Sequence, residues 1–407
     1  MIWKRRRGDA DVVEPGGPRP DDVSEVDFID VRQLVASYSV EELAESAEQY
    51  FARLDSWDYQ LAKPFYAAGE AAELLGGVSA LLDGLELAPA HTVLDFGAGG
   101  GWTSWMLSQL GCHVVVCDVS ETALAIARER YRRLPMAGTT YPPDFQQFDG
   151  HDIALGDATV DRISCNDAFH HVANPEKVLA EFVRILRPGG VCVLIEPGPN
   201  HSRSPQSQFE MRNFRVVERD IIPEEVASQA KAAGFAAVEI GVLGGLPRFV
   251  PSESFMSAIA PESQLPGEMV RAHAHNRMVI RLRKAGATPS DSRTRSGLQC
   301  QIDAAVTDGT LVARVANTGE ALWLQHGSVG RVNLGIHLYD QRGQLLDFDF
   351  IHLYLTDSDS PVPPGATVEL RAKLPDVVRG HRLEIDLVSE GVCWFAESGS
   401  SPVVLTV

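Results

Sequence analysis

One short stretch constrains the fold of this 407-residue chain more than any other. In Val93–Trp102, VLDFGAGGGW, an apolar run ends in an acid, and four glycines follow within five positions. Glycine adopts backbone conformations with positive φ at little cost and lets a ligand approach the main chain closely. A strand that leads through such a loop into a helix is typical of cofactor-binding turns in open α/β sheets. We therefore expect a nucleotide-like cofactor at this loop.

The segments around this loop alternate between strand-like and helix-like patterns. Apolar runs rich in Val, Ile, Leu and Cys predict strands at Thr92–Phe96, His113–Asp118, Asp144–Phe148, Val160–Asn166 and Val191–Glu196. Such continuous runs are expected of parallel strands that are covered on both faces. The alternation with helices predicts an α/β fold with a doubly wound, Rossmann-like sheet. We assign this domain to residues 91–285.

Further regions flank this predicted domain. Residues 1–38 are expected to be flexible, because their first part is rich in Pro, Gly and Asp. Residues 39–90 are expected to form a helical extension or lid, in which Ser39 and Glu42 have the spacing of a capping box. A polar linker is expected at 286–297. Beyond it, short strands separated by turn residues predict an all-β sandwich over 298–407.

Composition argues against several classes of function. Lys and Arg number 36 against 55 Asp and Glu, and the resulting charge of −19 argues against a nucleic-acid-binding surface. No apolar run reaches the roughly 18–20 residues that cross a bilayer. The basic start of the chain lacks the apolar segment of a secretory signal. We therefore expect no nucleic-acid partner and no transmembrane segment, and we leave a homo-oligomer open.

The cysteine and histidine patterns bear on redox compartment and on metal binding. The six cysteines form no C-x-x-C pair, and most of them lie in or beside apolar, strand-like segments. This pattern favours buried, reduced thiols in a cytoplasmic protein. His273 and His275 have a ligand-like spacing but no third ligand close to them in the sequence, so we expect no metal site.

The spacing of the glycines separates two classes of cofactor. The dinucleotide fingerprint G-x-G-x-x-G fails, because Trp102 stands where the third glycine is needed. The pattern that fits is acid-x-G-x-G-x-G, formed by Asp95, Gly97, Gly99 and Gly101. An acid there suits a cationic amino-acid moiety and would repel a pyrophosphate. The pattern resembles the first motif of class I S-adenosylmethionine (SAM)-dependent methyltransferases, and a tight strand–helix turn with a capping acid is the structural alternative.

This resemblance extends over Thr92–Lys284 and implies SAM as the cofactor. It implies that Asp118, at the end of the next strand, accepts hydrogen bonds from the ribose hydroxyls. It also implies that Asp149 approaches the adenine amino group, with helix capping as the alternative role. The implied cofactor-binding residues are Asp95, Gly97, Gly99, Gly101, Asp118, Val119, Asp149, Gly150, Asn166 and Asp167.

The resemblance also places the methyl acceptor beside the end of the fourth predicted strand. A hydroxyl or amine acceptor needs a base to take its proton, and an imidazole titrates near neutral pH. For the histidine pair, packing at a helix start is the alternative role. The segment Trp57–Phe65 is either part of a lid or a plain helix-to-loop turn. The candidate catalytic residues are His170, His171, His201 and Glu196.

The C-terminal region has a second, looser resemblance. Its VANTGEALW and EGVCWFA segments are similar to immunoglobulin-like modules of bacterial polysaccharide-modifying and polysaccharide-export proteins. This implies a glycan-binding domain, since aromatic rings suit the apolar faces of sugars. The alternatives are a core role for the aromatic residues and a docking or dimerisation role for the domain. The candidate sugar-binding residues are Trp323, Trp394, Tyr339 and His337.

Together these features predict a cytoplasmic, SAM-dependent methyltransferase of polysaccharide biosynthesis. The predicted acceptor is a hydroxyl on a sugar or bacterial glycan. One alternative is a small-molecule or lipid/quinone-type O- or C-methyltransferase. The other is a glycan-binding or assembly protein with a non-catalytic SAM domain, against which the complete set of acids and glycines argues.

Overall fold

The computed structural model describes residues 28–88, 91–136, 141–242, 245–247, 249–287, 290–325, 327–358 and 360–407. The chain divides into two compact units, the first formed by residues 1–87 and 91–286 and the second by residues 88–90 and 287–407. Most of the segment predicted to be flexible lies outside the described residues. Its last part contains helix α1 (Val31–Ser37), which begins where the Asp30 side chain accepts a hydrogen bond from the Arg32 amide.

Three further helices precede the sheet of the first unit: α2 (Val40–Ala52), α3 (Asp58–Ala62) and α4 (Ala68–Leu85). The predicted capping box at the start of α2 is confirmed. The Ser39 hydroxyl accepts from the Glu42 amide at 3.2 Å, and the Glu42 carboxylate accepts from the Ser39 amide at 2.8 Å. An N-cap of this kind stabilises a helix by about 1 kcal/mol.

The first unit is built on one seven-stranded sheet, which includes the five strands that the alternating pattern predicts. Its strands are β1 (Thr92–Phe96), β2 (His113–Asp118), β3 (Asp144–Gln147), β4 (Val160–Asn166), β5 (Leu186–Pro197), β6 (Phe235–Ile240) and β7 (Arg277–Lys284). Their order is β3-β2-β1-β4-β5-β7-β6, and only β7 runs antiparallel to its neighbours. The helices that follow α4 are α5 (Trp102–Gln109), α6 (Glu121–Arg133), α7 (Pro175–Ile185), α8 (Pro205–Phe214), α9 (Pro223–Ala233), α10 (Phe255–Ala258) and α11 (Leu265–Asn276).

The residues of strand β1 are apolar on both faces of the sheet, because each face packs into a hydrophobic core. Val93 packs into the same core as Leu85 of α4, whereas Leu94 packs into a second core with Phe182 of α7. All four side chains are fully buried, and burial of a side chain of this size contributes about 1.5–3 kcal/mol. Between β1 and β4 the strand order reverses, and open α/β sheets bind their ligands at the carboxyl ends of the strands beside such a point.

The second unit contains two antiparallel sheets that share one core. Its strands are β8 (Cys300–Thr307), β9 (Thr310–Asn317), β10 (Val332–Tyr339), β11 (Leu345–Tyr354), β12 (Thr367–Lys373), β13 (Arg382–Ser389), β14 (Cys393–Trp394) and β15 (Val403–Thr406). One sheet has the order β11-β10-β13-β14 with β15 also on β13, and the other has the order β12-β9-β8. Val315 of β9 and Ile336 of β10 lie in the same buried cluster, so the unit is a β-sandwich.

Two further observations complete the fold. Within the segment predicted as a linker, Ser292 is fully buried and its hydroxyl donates to the Gly330 carbonyl at 2.6 Å. Residues near Ser292 therefore pack onto the β-sandwich. No helix in the described part of the chain combines the length and the apolar character that crossing a membrane requires.

Candidate active site

A cavity of about 2560 Å³ lies at the carboxyl ends of the parallel strands in the first unit. The glycine loop, the end of β2 and the loop after β4 form one side of it. Residues from α2, α4, α8 and α11 form the remaining walls. The predicted cofactor residues that line it are Asp95, Gly97, Gly99, Asp118, Val119, Gly150, Asn166 and Asp167. Gly101 and Asp149 are not among the lining residues.

Two positions of the glycine loop require glycine, because each combines a positive φ with too little room for a Cβ. Gly97 has φ of +64°, and a Cβ added there would lie 2.2 Å from the Cβ of Ala168 in the loop after β4. Gly101, the residue before α5, has φ of +67°, and its Cβ would lie 2.7 Å from the Cβ of Ala127 in α6. Real side chains do not tolerate such distances, so the loop packs main chain directly against its neighbours. Gly97 and Gly99 of this loop line the cavity.

Main-chain amides hold the Asp118 side chain in place in the lining of the cavity. Its Oδ2 accepts from the Gly99 amide at 2.7 Å, and its Oδ1 accepts from the Ser120 amide at 2.9 Å. Burial raises the pKa of this carboxyl, and the amide donors act in the opposite direction. Each carboxylate oxygen keeps acceptor capacity beyond these bonds. The geometry therefore fits a ligand that presents neighbouring hydroxyls, such as a ribose.

By contrast, both carboxylate oxygens of Asp95 accept hydrogen bonds from protein hydroxyls. Its Oδ1 accepts from Ser164 at 2.8 Å and its Oδ2 from Ser104. Burial raises the pKa of Asp95 to about 6, although these hydroxyls and a main-chain donor lower it. The carboxyl borders the cavity and at the same time ties the end of β1 to β4 and α5. Asp149 is exposed and accepts from the amides of His151 and Asp152, each at 2.8 Å.

The loop after β4 is held by an arginine that lies 110 residues further along the chain. Asp167 has φ of +53°, and its carboxylate receives both terminal nitrogens of Arg277, with Nη2 to Oδ2 at 2.9 Å. Burial alone would raise the pKa of Asp167, but Arg277 outweighs burial and lowers it. Arg277 begins β7, and its place beside β5 in the sheet brings it to Asp167. No local pattern in the sequence signals this pair.

Lys63, in the segment predicted as either lid or turn, is buried in the cavity wall. Its Nζ lies 4.9 Å from the centre of the Tyr59 ring, a cation–π contact. Burial lowers the pKa of Lys63 to about 8, and Asp167 partly offsets this effect. The cavity wall therefore contains a buried lysine whose pKa is lowered by burial.

His170 and Glu196 form a fully buried pair behind the cavity wall. The His170 Nδ1 lies 2.6 Å from Glu196 Oε2. Glu196 also accepts from the amides of Ala168, Phe169 and His170. Burial raises the pKa of Glu196 to about 7 and lowers that of His170 to about 3. Neither residue lines the cavity, and the pair holds the loop after β4 in place.

His171 and His201 do line the cavity, and one acid connects them. The His201 Nε2 lies 2.6 Å from Glu218 Oε2, and the His171 Nδ1 lies 3.5 Å from Glu218 Oε1. The His171 Nδ1 also donates to the Val217 carbonyl at 2.6 Å. Burial together with Glu218 raises the pKa of Glu210, a neighbouring cavity residue, to about 8. Sequence reasoning missed both glutamates, because they lie in and after α8 with no motif around them.

Comparisons with known proteins agree with this geometry. Residues 94–194 match the family described as "Methyltransferase domain". A demethylmenaquinone methyltransferase of Clavibacter sepedonicus is 31% identical over 173 residues, which cover 36% of this chain and 66% of that protein. The O-methyltransferase cnsE of Penicillium expansum is 26% identical over 175 residues, which cover 42% of this chain and 62% of that protein.

An uncharacterized 37.1 kDa transposon protein of Streptomyces fradiae is 29% identical over 168 residues, 39% of this chain and 47% of its own length. The chain thus spans about half to two thirds of these relatives. Among solved structures, the geranyl diphosphate C-methyltransferase of Streptomyces coelicolor A3(2) is 15% identical, with a TM-score of 0.43 over 60% of this chain and 98% of that chain.

The first unit combines a Rossmann-like sheet and a glycine loop with the match of residues 94–194 to the methyltransferase-domain family. Its cofactor is S-adenosyl-L-methionine, which supplies an electrophilic methyl group on a sulfonium. The glycine loop and the fixed Asp118 carboxylate are the features of this structure that fit that cofactor.

Proposed function

We propose that the protein transfers the methyl group of SAM to a hydroxyl of a sugar or bacterial glycan. The observation that carries this proposal is that cofactor-binding residues and a candidate base line the same cavity. The glycine loop and Asp118 lie on one side of it, and His201, held by Glu218, lies on another. A hydroxyl is a weak nucleophile until a base takes its proton, so a base beside the cofactor site favours hydroxyl methylation.

His201 is the residue that we assign as this base. A carboxylate only accepts hydrogen bonds, so the His201 Nε2 donates to Glu218 and the lone pair is on Nδ1. A buried carboxylate in this position fixes the tautomer and the orientation of the imidazole. His170 and Glu196 act as positioning residues, because they hold the loop that borders the methyl-donor site.

Other polar side chains of the cavity support a polyhydroxylated acceptor. Every hydroxyl of a sugar is both a hydrogen-bond donor and an acceptor. A site that binds a sugar specifically therefore places several polar groups within reach of these hydroxyls. Amide, carboxyl and guanidinium groups of this kind line the same cavity: Asn200, Gln206, Glu210, Arg212 and Asn213.

We propose further that the β-sandwich binds the glycan. Trp323 is fully buried against Phe395 and belongs to the core. Trp394, half-buried, lies with its ring centre 4.2 Å from that of the buried His337, and the exposed Phe348 is 5.5 Å from Trp394. These rings offer an aromatic face for a sugar. Phe348→Ala is expected to raise the KM for a polymeric acceptor while the KM for SAM stays constant.

The direct test is a methylation screen with the purified full-length chain. SAM is incubated with nucleotide sugars, oligosaccharides and extracted glycans, and products are detected by the mass gain of one methyl group. Transfer to a carbohydrate hydroxyl is expected, and an Asp118→Ala preparation controls for chemical methylation. If SAM binds but no carbohydrate gains mass, the assignment of the acceptor is wrong.

A second candidate acceptor is a quinone or related small aromatic or lipid molecule, methylated on oxygen or carbon. Two observations favour it. The cavity wall includes an aromatic group in which the Tyr50 and Phe214 rings meet edge to face at 5.7 Å, with Phe51 and Phe209 beside them. One relative reported above is a demethylmenaquinone methyltransferase. Adding demethylquinones and phenols to the same screen separates this candidate from a sugar acceptor.

A further inference from the structure

Among the described residues, several buried polar atoms beside the cavity have no hydrogen-bond partner, and two of them lie on neighbouring side chains. These two are the Nε2 of His170 and the Oε1 of Glu218. The two side chains are 0% and 2% exposed. A buried polar atom without a partner costs about 1–3 kcal/mol, so two such atoms on neighbouring side chains call for a shared partner.

A third side chain meets them at the same point. One ligand atom each of His170, His171 and Glu218 lies within 4.8 Å of the others. The imidazole rings of His170 and His171 have their centres 3.8 Å apart. Two imidazoles and one carboxylate are a donor set that suits first-row divalent metal ions. The sequence predicts no metal here, because Glu218 is far along the chain from the histidine pair.

The other atoms of these side chains are already held by the surrounding protein. The His170 Nδ1 bonds to Glu196, which leaves Nε2 as the ring nitrogen with a lone pair. The Glu218 Oε2 receives Ser207 at 3.0 Å and His201 at 2.6 Å, which leaves Oε1. Metal-binding histidines usually donate their second nitrogen to a carboxylate in just this way. The outer contacts of a metal site are therefore in place.

We infer that His170, His171 and Glu218 bind one divalent transition-metal ion, for which Zn²⁺ is the probe. His171 lines the cavity, so the ion borders the space in which the acceptor binds. One consequence rests on the proposed function: an ion at this position polarises an acceptor hydroxyl and assists its deprotonation. Metal binding itself is measured without methyl transfer, so the two proposals fail separately.

The test uses the full-length chain with any polyhistidine tag removed. The protein is stripped with a chelator, incubated with Zn²⁺, passed over a desalting column and analysed for metal by mass spectrometry. We expect about one ion per chain, and Co²⁺ in place of Zn²⁺ is expected to give visible d–d absorption. Glu218→Gln and His170→Ala are expected to lower the bound metal at least about tenfold, because the first replaces the carboxylate by a neutral, weaker amide oxygen and the second removes an imidazole ligand.

The matched control is His275→Ala, which removes an exposed histidine from the same cavity and is expected to retain metal. Circular dichroism establishes whether each variant folds, and SAM binding is measured in parallel. Wild-type protein that retains far less than one ion per chain overturns the inference whatever the variants do. It would mean that a buried water or a protonated Glu210 satisfies these atoms. Folded Glu218→Gln that keeps its metal overturns it as well.

Discussion

The two ends of the cavity are built in different ways. At the cofactor end, the contacts come mainly from main-chain amides and glycines in the loops after β1, β2 and β4, and Arg277 holds the last of these loops. At the acceptor end, side chains from distant segments meet, as His201 and Glu218 do on either side of α8. A main-chain site tolerates little variation in its backbone, whereas a side-chain site changes with single substitutions. The first is suited to a constant methyl donor and the second to a variable acceptor.

The largest effect is expected at the acceptor end, for His201→Asn. If His201 is the base, kcat should fall by about 10²–10⁴, while the dissociation constant for SAM stays within about twofold. Steady-state kinetics and calorimetry measure these quantities. His275→Asn, a histidine in the same cavity, is the control and should keep kcat. A fall in SAM affinity that equals the fall in kcat would show that the two ends are not separate.

This difference between the ends also explains how much the sequence predicts. The bounds of β1, β2 and β4 are predicted exactly, because apolar runs between an acid and a turn are local signals. The glycine loop is equally local. Arg277 and Glu218 have no such signal, since their positions depend on the antiparallel insertion of β7 and on the turn after α8. Residue type and position at the strand ends selected His170 and Glu196, and the structure shows that both are fully buried and do not line the cavity.

At the cofactor end, the strongest test of main-chain packing is Gly97→Ala. The added methyl group would meet the Ala168 Cβ at 2.2 Å and would also force a positive φ on alanine. We expect the dissociation constant for SAM to rise by about 100-fold and the free energy of unfolding to fall by about 2–4 kcal/mol. Calorimetry and chemical denaturation measure the two effects.

Gly365→Ala is the matched control for this substitution. Gly365 has φ of +79°, but no atom lies within 4 Å of the position that a Cβ would take. It should lose only about 1 kcal/mol of stability and leave SAM affinity unchanged. Equal effects of the two substitutions would mean that backbone strain, and not contact with the loop after β4, makes glycine necessary at position 97.

A smaller effect at the same end is expected for Asp118→Asn. Loss of the charged acceptor should raise the KM for SAM by about 10–100-fold, since a hydrogen bond to a charged group contributes about 1.5–3 kcal/mol. The KM for the acceptor should change little. Asp149→Asn is the comparison, because Asp149 is exposed and its main-chain bonds can be kept by asparagine. Parallel increases in the KM of donor and acceptor would argue against a ribose contact at Asp118.

The smallest predicted effect is a change of stability with pH, which is caused by the buried Lys63 in the cavity wall. Burial lowers the pKa of Lys63 to about 8 from an ordinary value of 10.5. The folded chain therefore loses this proton first, and between these two pH values the unfolded chain binds more protons, so stability rises with pH there. Below pH 8 the cost of burying the charge is fully present. Wild-type protein should thus gain about 1–3 kcal/mol relative to Lys63→Met between pH 7.5 and 10.5.

Denaturant titrations of both proteins across this pH range measure the difference. Lys373→Met, which changes an exposed lysine of the β-sandwich, should show no comparable divergence from wild type. If the stabilities of wild type and Lys63→Met run parallel over the whole range, Lys63 keeps its charge in the folded chain. Its partners in the wall, above all Asp167, would then offset burial completely, and the cofactor end would depend on a buried ion pair as much as on main-chain packing.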